Sequence, residues 1–224
     1  MQYDWSSLVD PIVTLVAAFA GAWFAFLFER RHRQREEDER RIGAANRALY
    51  TVFNLWNIQL QLRKDVVDGH RGQRDAWLSM PATVPSSYGL TRFDAAELSF
   101  LLGEDSMVYC DLLLEEQRFA LAVQLVETRS HLVLNEVFPR LAAAKIGVGE
   151  KRDEREILAA LGPDVTQKLK VLSDGIVTNI DENLVTLVAT HDQLRAAMKK
   201  LYPDTKFIKI EFPADGERPK QAAA

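Results

Sequence analysis

The chain has very little with which to cross-link or ligate itself. Its 224 residues include one cysteine, Cys110, so it has neither an intramolecular disulfide nor a cysteine-based metal site. A single thiol fits a reducing compartment. Lysine and arginine are missing from the first 28 residues, where Asp4 and Asp10 are the only charges. The remaining chain carries 28 basic against 30 acidic groups, and the net charge of the whole is −4. That balance lacks the basic excess of a nucleic-acid binder, so no nucleic acid is expected as a partner.

Catalytic signatures are missing as well. There is no phosphate-binding glycine loop, no Gly-x-Ser-x-Gly elbow and no HExxH. His32, His70, His131 and His191 have no zinc-like spacing. A di-iron bundle needs Glu-x-x-His on two helices, and only Glu29 with His32 fits that pattern. Neither an enzyme, a cofactor nor a metal is expected. Cys110 has no basic neighbour in sequence to activate it and is expected to be a buried structural thiol.

What the sequence does contain begins with an apolar run. Residues 11–28, PIVTLVAAFAGAWFAFLF, are 18 residues without a charge. As a helix they would extend about 27 Å, close to the roughly 30 Å of a hydrocarbon core. Asp10 followed by Pro11 is a helix-start signal. Tyr3 and Trp5 flank one end, and Trp23, Phe24 and Phe26 lie toward the other, as interfacial aromatics do. A cleaved signal peptide fits poorly, because no positive region precedes the run and charge, rather than a small-residue cleavage site, follows Phe28. A buried core helix would show a polar stripe. The expectation is a retained single-pass anchor in a bacterial inner membrane.

Arg30, Arg31, Arg33 and Arg35 crowd one flank only. The positive-inside bias then places the N-terminus outside and the larger C-terminal part in the cytoplasm. These arginines could also contact anionic headgroups, at about 1 kcal/mol each. Ala17, Gly21 and Ala25 recur every four residues, a small-residue row that lets two such helices approach and self-associate.

Beyond the membrane, the interval between Pro11 and Asp68 contains no proline and only two glycines, Gly21 and Gly43. Charged residues 29–41 read as the helix continuing, with pairs such as Glu36 with Arg40 and Glu37 with Arg41. Apolar spacing resumes at Ile42, Leu49, Val52, Phe53, Trp56, Leu60 and Val67. A second long helix is expected over 106–138, with Phe119, Val123, Val126, Val133 and Val137 on one seam. Leu114, Leu121, Leu125 and Leu132 form another, so this helix should be buried on two sides. A third helix is expected over 164–202, after Gly162-Pro163 and before Pro203. Its Ile180, Leu184, Leu187, His191, Leu194, Met198 and Leu201 follow coiled-coil spacing. His191 in that seam is read as a polar layer between helices, or as a protonation switch.

The fold expected is therefore all-α: an anchor (1–28), a charged juxtamembrane helix (29–41), an elongated antiparallel bundle of about three long helices (42–203), and an extended or disordered tail (204–224). The helices should run out from the membrane, back, and out again. Asp94 and Glu97, flanked by Phe93 and Leu98, form a capping-box and staple pattern. Within the tail, Ile208, Ile210 and Phe212 share one face of a lone extended segment. It either packs on the bundle or pairs with another sheet edge. Expected partner contacts are Trp77, Met80, Tyr88, Ile208, Ile210 and Phe212. The function expected is a membrane-anchored, self-associating scaffold that recruits an unidentified protein. The alternative is an oligomerising effector that perturbs the bilayer.

Overall fold

A computed structural model describes the backbone of residues 6–83, 91–147 and 153–213, and within those ranges the side chains of residue 15 and of residues 18 onward. The chain is all-helical, with no strand among the described residues. Its helices are α1 (Ser6–Leu62), α2 (Ala76–Ser79), α3 (Leu101–Glu104), α4 (Ser106–Leu132), α5 (Phe138–Ala143) and α6 (Glu154–Leu201). Two compact units divide it, residues 1–44 and 45–224.

The first unit consists of α1 up to Ala44. Its charged stretch is sustained by pairs one turn apart on the helix surface. Glu37 accepts from Arg41 at 3.0 Å and pairs with Arg40 at 3.0 Å, which together hold its carboxyl below the ordinary value. Glu29 pairs with Arg33, and His32 lies 3.2 Å from Glu36. Such exposed pairs contribute a few tenths of a kcal/mol each. Among the described residues no helix is both long and apolar enough to cross a membrane.

The second unit has a core built from one face of each long helix. From α1 come Leu49, Val52, Leu55, Trp56 and Leu60; from α4, Leu112, Phe119, Ala122 and Val126; from α6, Ile176, Ile180, Leu187, Leu194 and Met198. Each large side chain removed from water contributes about 1.5–3 kcal/mol. The α6 seam follows the expected spacing, with His191 itself fully buried.

Two expectations are corrected. The first concerns direction. Arg47 pairs with Glu97 at 2.6 Å, and Tyr109 reaches the Ala95 carbonyl, so the start of α4 lies near Arg47. Thr83 donates to Ser130 and Arg71 grips Asp181 through two bonds, placing the end of α4 and the middle of α6 near the far end of this α1 segment. Residues 45–62 and α4 therefore run in the same sense, and α6 runs against both. Short connections favour antiparallel neighbours, but the link from Met80 to Glu97 can reach 3.3–3.6 Å per residue, about 55 Å or more. That suffices to retrace the roughly 40 Å of α4. The second correction concerns burial. Phe119, Val126, Val133 and Val137 are buried as expected, and of the second seam Leu132 is buried and Leu125 half-buried, but Leu114 and Leu121 are 40% and 45% exposed. Cys110, expected to be buried, is exposed as well. Among the described residues the first two-thirds of α4 is covered on one side.

The helix breaks have local causes. Proline at 139 cannot donate to a helix ladder, and its ring crowds the carbonyl four residues back. A π-helical turn at Val133–Val137 widens the helix just before it, with Phe138 N–H bonded to Val133 O. At Gly162 the backbone turns to φ 76°, ψ 163°, dividing α6 into Glu154–Leu161 and a long part beginning at Pro163. Only glycine adopts that conformation without strain. Gly162→Ala is expected to cost about 1–3 kcal/mol, read as a shift in the thermal unfolding midpoint; an unchanged midpoint would refute the strain argument.

The anticipated cap forms in part. Asp94 Oδ1 accepts from Ala96 and Glu97 amides at 3.1 and 3.0 Å, and Phe93 and Leu98 are buried as a staple. Glu97 turns to Arg47 rather than back to the cap.

Candidate functional site

Two polar nodes lie inside the second unit. The first is Arg129, which is 1% exposed. Its position falls on the buried stripe of α4 beside Ala122, Val126 and Val133. Nε donates to Ser173 Oγ at 2.9 Å, Nη1 to the Pro81 carbonyl at 3.1 Å, and Nη2 to the carbonyls of Trp77 and Met80 at 3.1 and 2.8 Å. All four partners are neutral. Burial pushes the guanidinium down to about 10, which leaves it cationic at neutral pH. Ser173 Oγ also reaches Trp77 O at 3.2 Å. One side chain thus ties α4, α6 and the segment 77–81 together. Sequence reasoning missed it; the available signal was a cation at an apolar repeat position.

This node accounts for two expected contact residues. Trp77 is 8% exposed, with Lys170 Nζ 5.0 Å from its ring centroid, and Met80 is 3% exposed. Both belong to the core, so neither is offered to a partner. Tyr88 lies outside the described residues.

The second node lies under the C-terminal arm. Residues 206–213 are non-helical, with a lone bridge at Ile210, and Phe207 is buried. The Ile208 amide donates to Asn46 Oδ1 at 3.2 Å. Phe212 wedges its ring edge-on between Trp56 of α1 and His191 of α6, at 5.2 and 5.1 Å between centroids. Ile208 is exposed and Ile210 is half-buried. His191 Nδ1 faces Asp192 Oδ1 at 3.2 Å, while its buried Nε2 has no hydrogen-bond partner among the described groups. Burial pushes this imidazole below its ordinary value, against the opposing pull of Asp192. Its neighbour across the interface is the Phe212 ring rather than a polar group on another helix.

Glu115 on α4 is buried too, bonded to Arg118 at 2.7 Å and to Thr186 at 2.9 Å. Burial nevertheless raises its carboxyl above the ordinary value, outweighing both partners. At one end of the α4–α6 pair, Thr128, His131, Leu132, Val171 and Leu172 border an open groove of about 640 Å³. Among the described residues no group of three or more His, Cys, Asp or Glu side chains could hold a metal.

In the first unit, Arg30, Arg31, Arg33 and Arg35 are all exposed, Arg33 being paired with Glu29. Gly21 has open space where a Cβ would sit, and Ala25 is exposed; the Ala17 side chain lies outside the described set. Compared with known proteins, the chain matches no family profile, no curated protein and no solved structure.

Proposed function

We propose that this protein is a single-pass membrane-anchored helical scaffold, whose second unit recruits a protein partner on the cytoplasmic side. One observation carries the reading. Leu15, Phe19, Trp23, Phe24, Phe26 and Phe28 are 55–71% exposed and lie on more than one face of α1. An apolar surface of that size, with no stripe turned to a core, calls for lipid rather than water. The arginine cluster immediately after Phe28 supplies the topological signal and the headgroup contacts.

The mechanism is positional, since the residues of the second unit converge on structure rather than on a reaction. Exposed Ile208 on the extended arm remains a surface at which a partner could add a strand. In cell fractionation, the full chain is expected in the carbonate-resistant membrane pellet, and a variant lacking residues 1–28 in the supernatant. Full-length protein in the supernatant overturns the proposal. A bilayer-perturbing effector is a second reading, favoured by the open face at Gly21. Expression toxicity abolished by Gly21→Leu would select it over the scaffold.

A further inference from the structure

The side of α4 left open by the fold has a regular composition. Met107, Cys110, Leu114, Gln117, Leu121, Gln124, Thr128 and His131 alternate at three- and four-residue steps, and all eight are exposed. None is Lys, Arg, Asp or Glu. The exposed face of α6 is different, carrying Asp164, Lys168, Asp174, Glu182, Asp192 and Lys200. Beside the stripe lie half-buried Leu113 and Leu125 and exposed Ala120, with charge confined to the flanks, as at Asp111, Arg118 and Glu127. The 3-4 spacing is that of a coiled-coil seam, with Met107, Leu114, Leu121 and Thr128 at one core position and Cys110, Gln117, Gln124 and His131 at the other.

We infer that this stripe is the seam of a parallel, in-register homodimer, in which the α4 helix of one copy packs on the α4 helix of a second. Charge identifies the occupant. At a parallel two-fold seam every residue meets its own copy, so a single lysine or glutamate would face a like charge at a cost of several kcal/mol. A partner of different sequence could set an opposite charge against one on the stripe, which a second copy in register cannot do, and all eight positions are uncharged.

Polarity selects the direction. Paired in register, Met107, Leu114 and Leu121 meet themselves, and Gln117 and Gln124 meet amides that both donate and accept. Reversing one helix about the centre of the stripe would place Leu114 against Gln124 and Gln117 against Leu121. Each amide would then be buried against a hydrocarbon, leaving its polar atoms unpaired. The stripe is about 36 Å long and about 10 Å wide, and so covers roughly 700 Å² over two copies. That lies at the low end of interface size and gives a weak, concentration-dependent pair. The inference uses only the second unit and stands whether or not the chain is anchored in a membrane.

Cys110 is the sole cysteine and occupies a core position of the seam, so it reports directly. In the parallel pair the two Cys110 side chains come within disulfide reach; in the reversed pair they lie about 27 Å apart. Full-length protein treated with copper phenanthroline is expected to give a dimer band on a non-reducing gel, increasing with protein concentration and absent from Cys110→Ser. Gln117→Glu, at an exposed position outside the core, should cut the yield at least about tenfold, and Leu121→Glu likewise. Far-UV circular dichroism should be unchanged in both. No dimer band, or equal yields with Gln117→Glu, overturns the homodimer. A chain carrying Cys110→Ser with Thr128→Cys, mixed with the parent chain, cross-links to it only in the reversed pair, where position 110 faces position 128. Mixed cross-linking without cross-linking through Cys110 alone overturns the parallel arrangement. The carbonate pellet assay on Gln117→Glu separates this outcome from failure of the anchor.

Discussion

Replacing Arg129 with methionine should lower the thermal midpoint by about 10 °C. The side chains are similar in length, and the exchange removes a buried charge, which on its own can be neutral or stabilising. It is costly here because the partners cannot leave. The carbonyls of Trp77, Met80 and Pro81 are backbone, and with Ser173 they would stay in place after losing four hydrogen bonds, Trp77 O and Ser173 keeping only each other. A buried polar group left without a partner costs about 1–3 kcal/mol, offset in part by the desolvation recovered from the guanidinium. A net loss of about 3–4 kcal/mol corresponds to about 10 °C for a chain of this length. Arg129→Lys should recover little, because one ammonium cannot span three carbonyls and a hydroxyl the way a planar fork does. The segment 77–81 should loosen first, exposing the Arg71 and Arg74 bonds to trypsin in both variants. A methionine variant melting within 1–2 °C of the parent, with unchanged digestion, would show that the node is dispensable.

The helices were legible because each one announces its own period and ends. The 3-4 spacing from Ile180 to Leu201 emerges as a buried seam, and Gly162-Pro163 breaks α6 where that pair predicts. Pro139 marks the π-helical turn at Val133–Val137. The direction of the chain was not legible, because apolar faces at 49–60, 112–126 and 176–198 can be satisfied by either orientation of the middle helix. The deciding contacts, Arg47 with Glu97 and Arg71 with Asp181, join residues 50 and 110 positions apart. Local sequence carries no signal for pairs so distant. The large apolar residues of the 77–93 stretch argue for a loop packed on the bundle, and Trp77, Met80 and Phe93 are buried there, which leaves Trp77 and Met80 no surface for a partner. Arg129 turns that segment inward, and it sits where periodicity alone expects an aliphatic. The second apolar seam of α4 is buried at Leu132 but open at Leu114 and Leu121, because periodicity marks an apolar face without saying that this chain covers it.

The double substitution Phe207→Ala with Phe212→Ala should detach the C-terminal arm and cost about 4 kcal/mol, most of it from the buried Phe207. Trypsin should then cut after Lys206 and Lys209, and the fluorescence of Trp56 should shift to the red as the Phe212 ring leaves it. The pH profile supplies the sharper test. His191 is held below its ordinary pKa chiefly by burial, so the unfolded chain takes up a proton near pH 6.5 that the folded chain refuses. Stability due to this group is complete above about pH 6.5 and declines as the pH falls toward the depressed folded value. Glu115 acts with the opposite sign. Its raised carboxyl contributes most below the ordinary carboxylate value and loses that contribution as the pH rises through the folded value. Because Glu115 is common to parent and variant, the difference between their stability profiles isolates His191. With the arm released and water admitted, the imidazole should titrate near its unfolded value in both states, and the difference should shrink as the pH is lowered from 7 to 5. A constant difference across that range would mean that the rest of the bundle, rather than Phe212, desolvates His191, and that the arm is no part of that site.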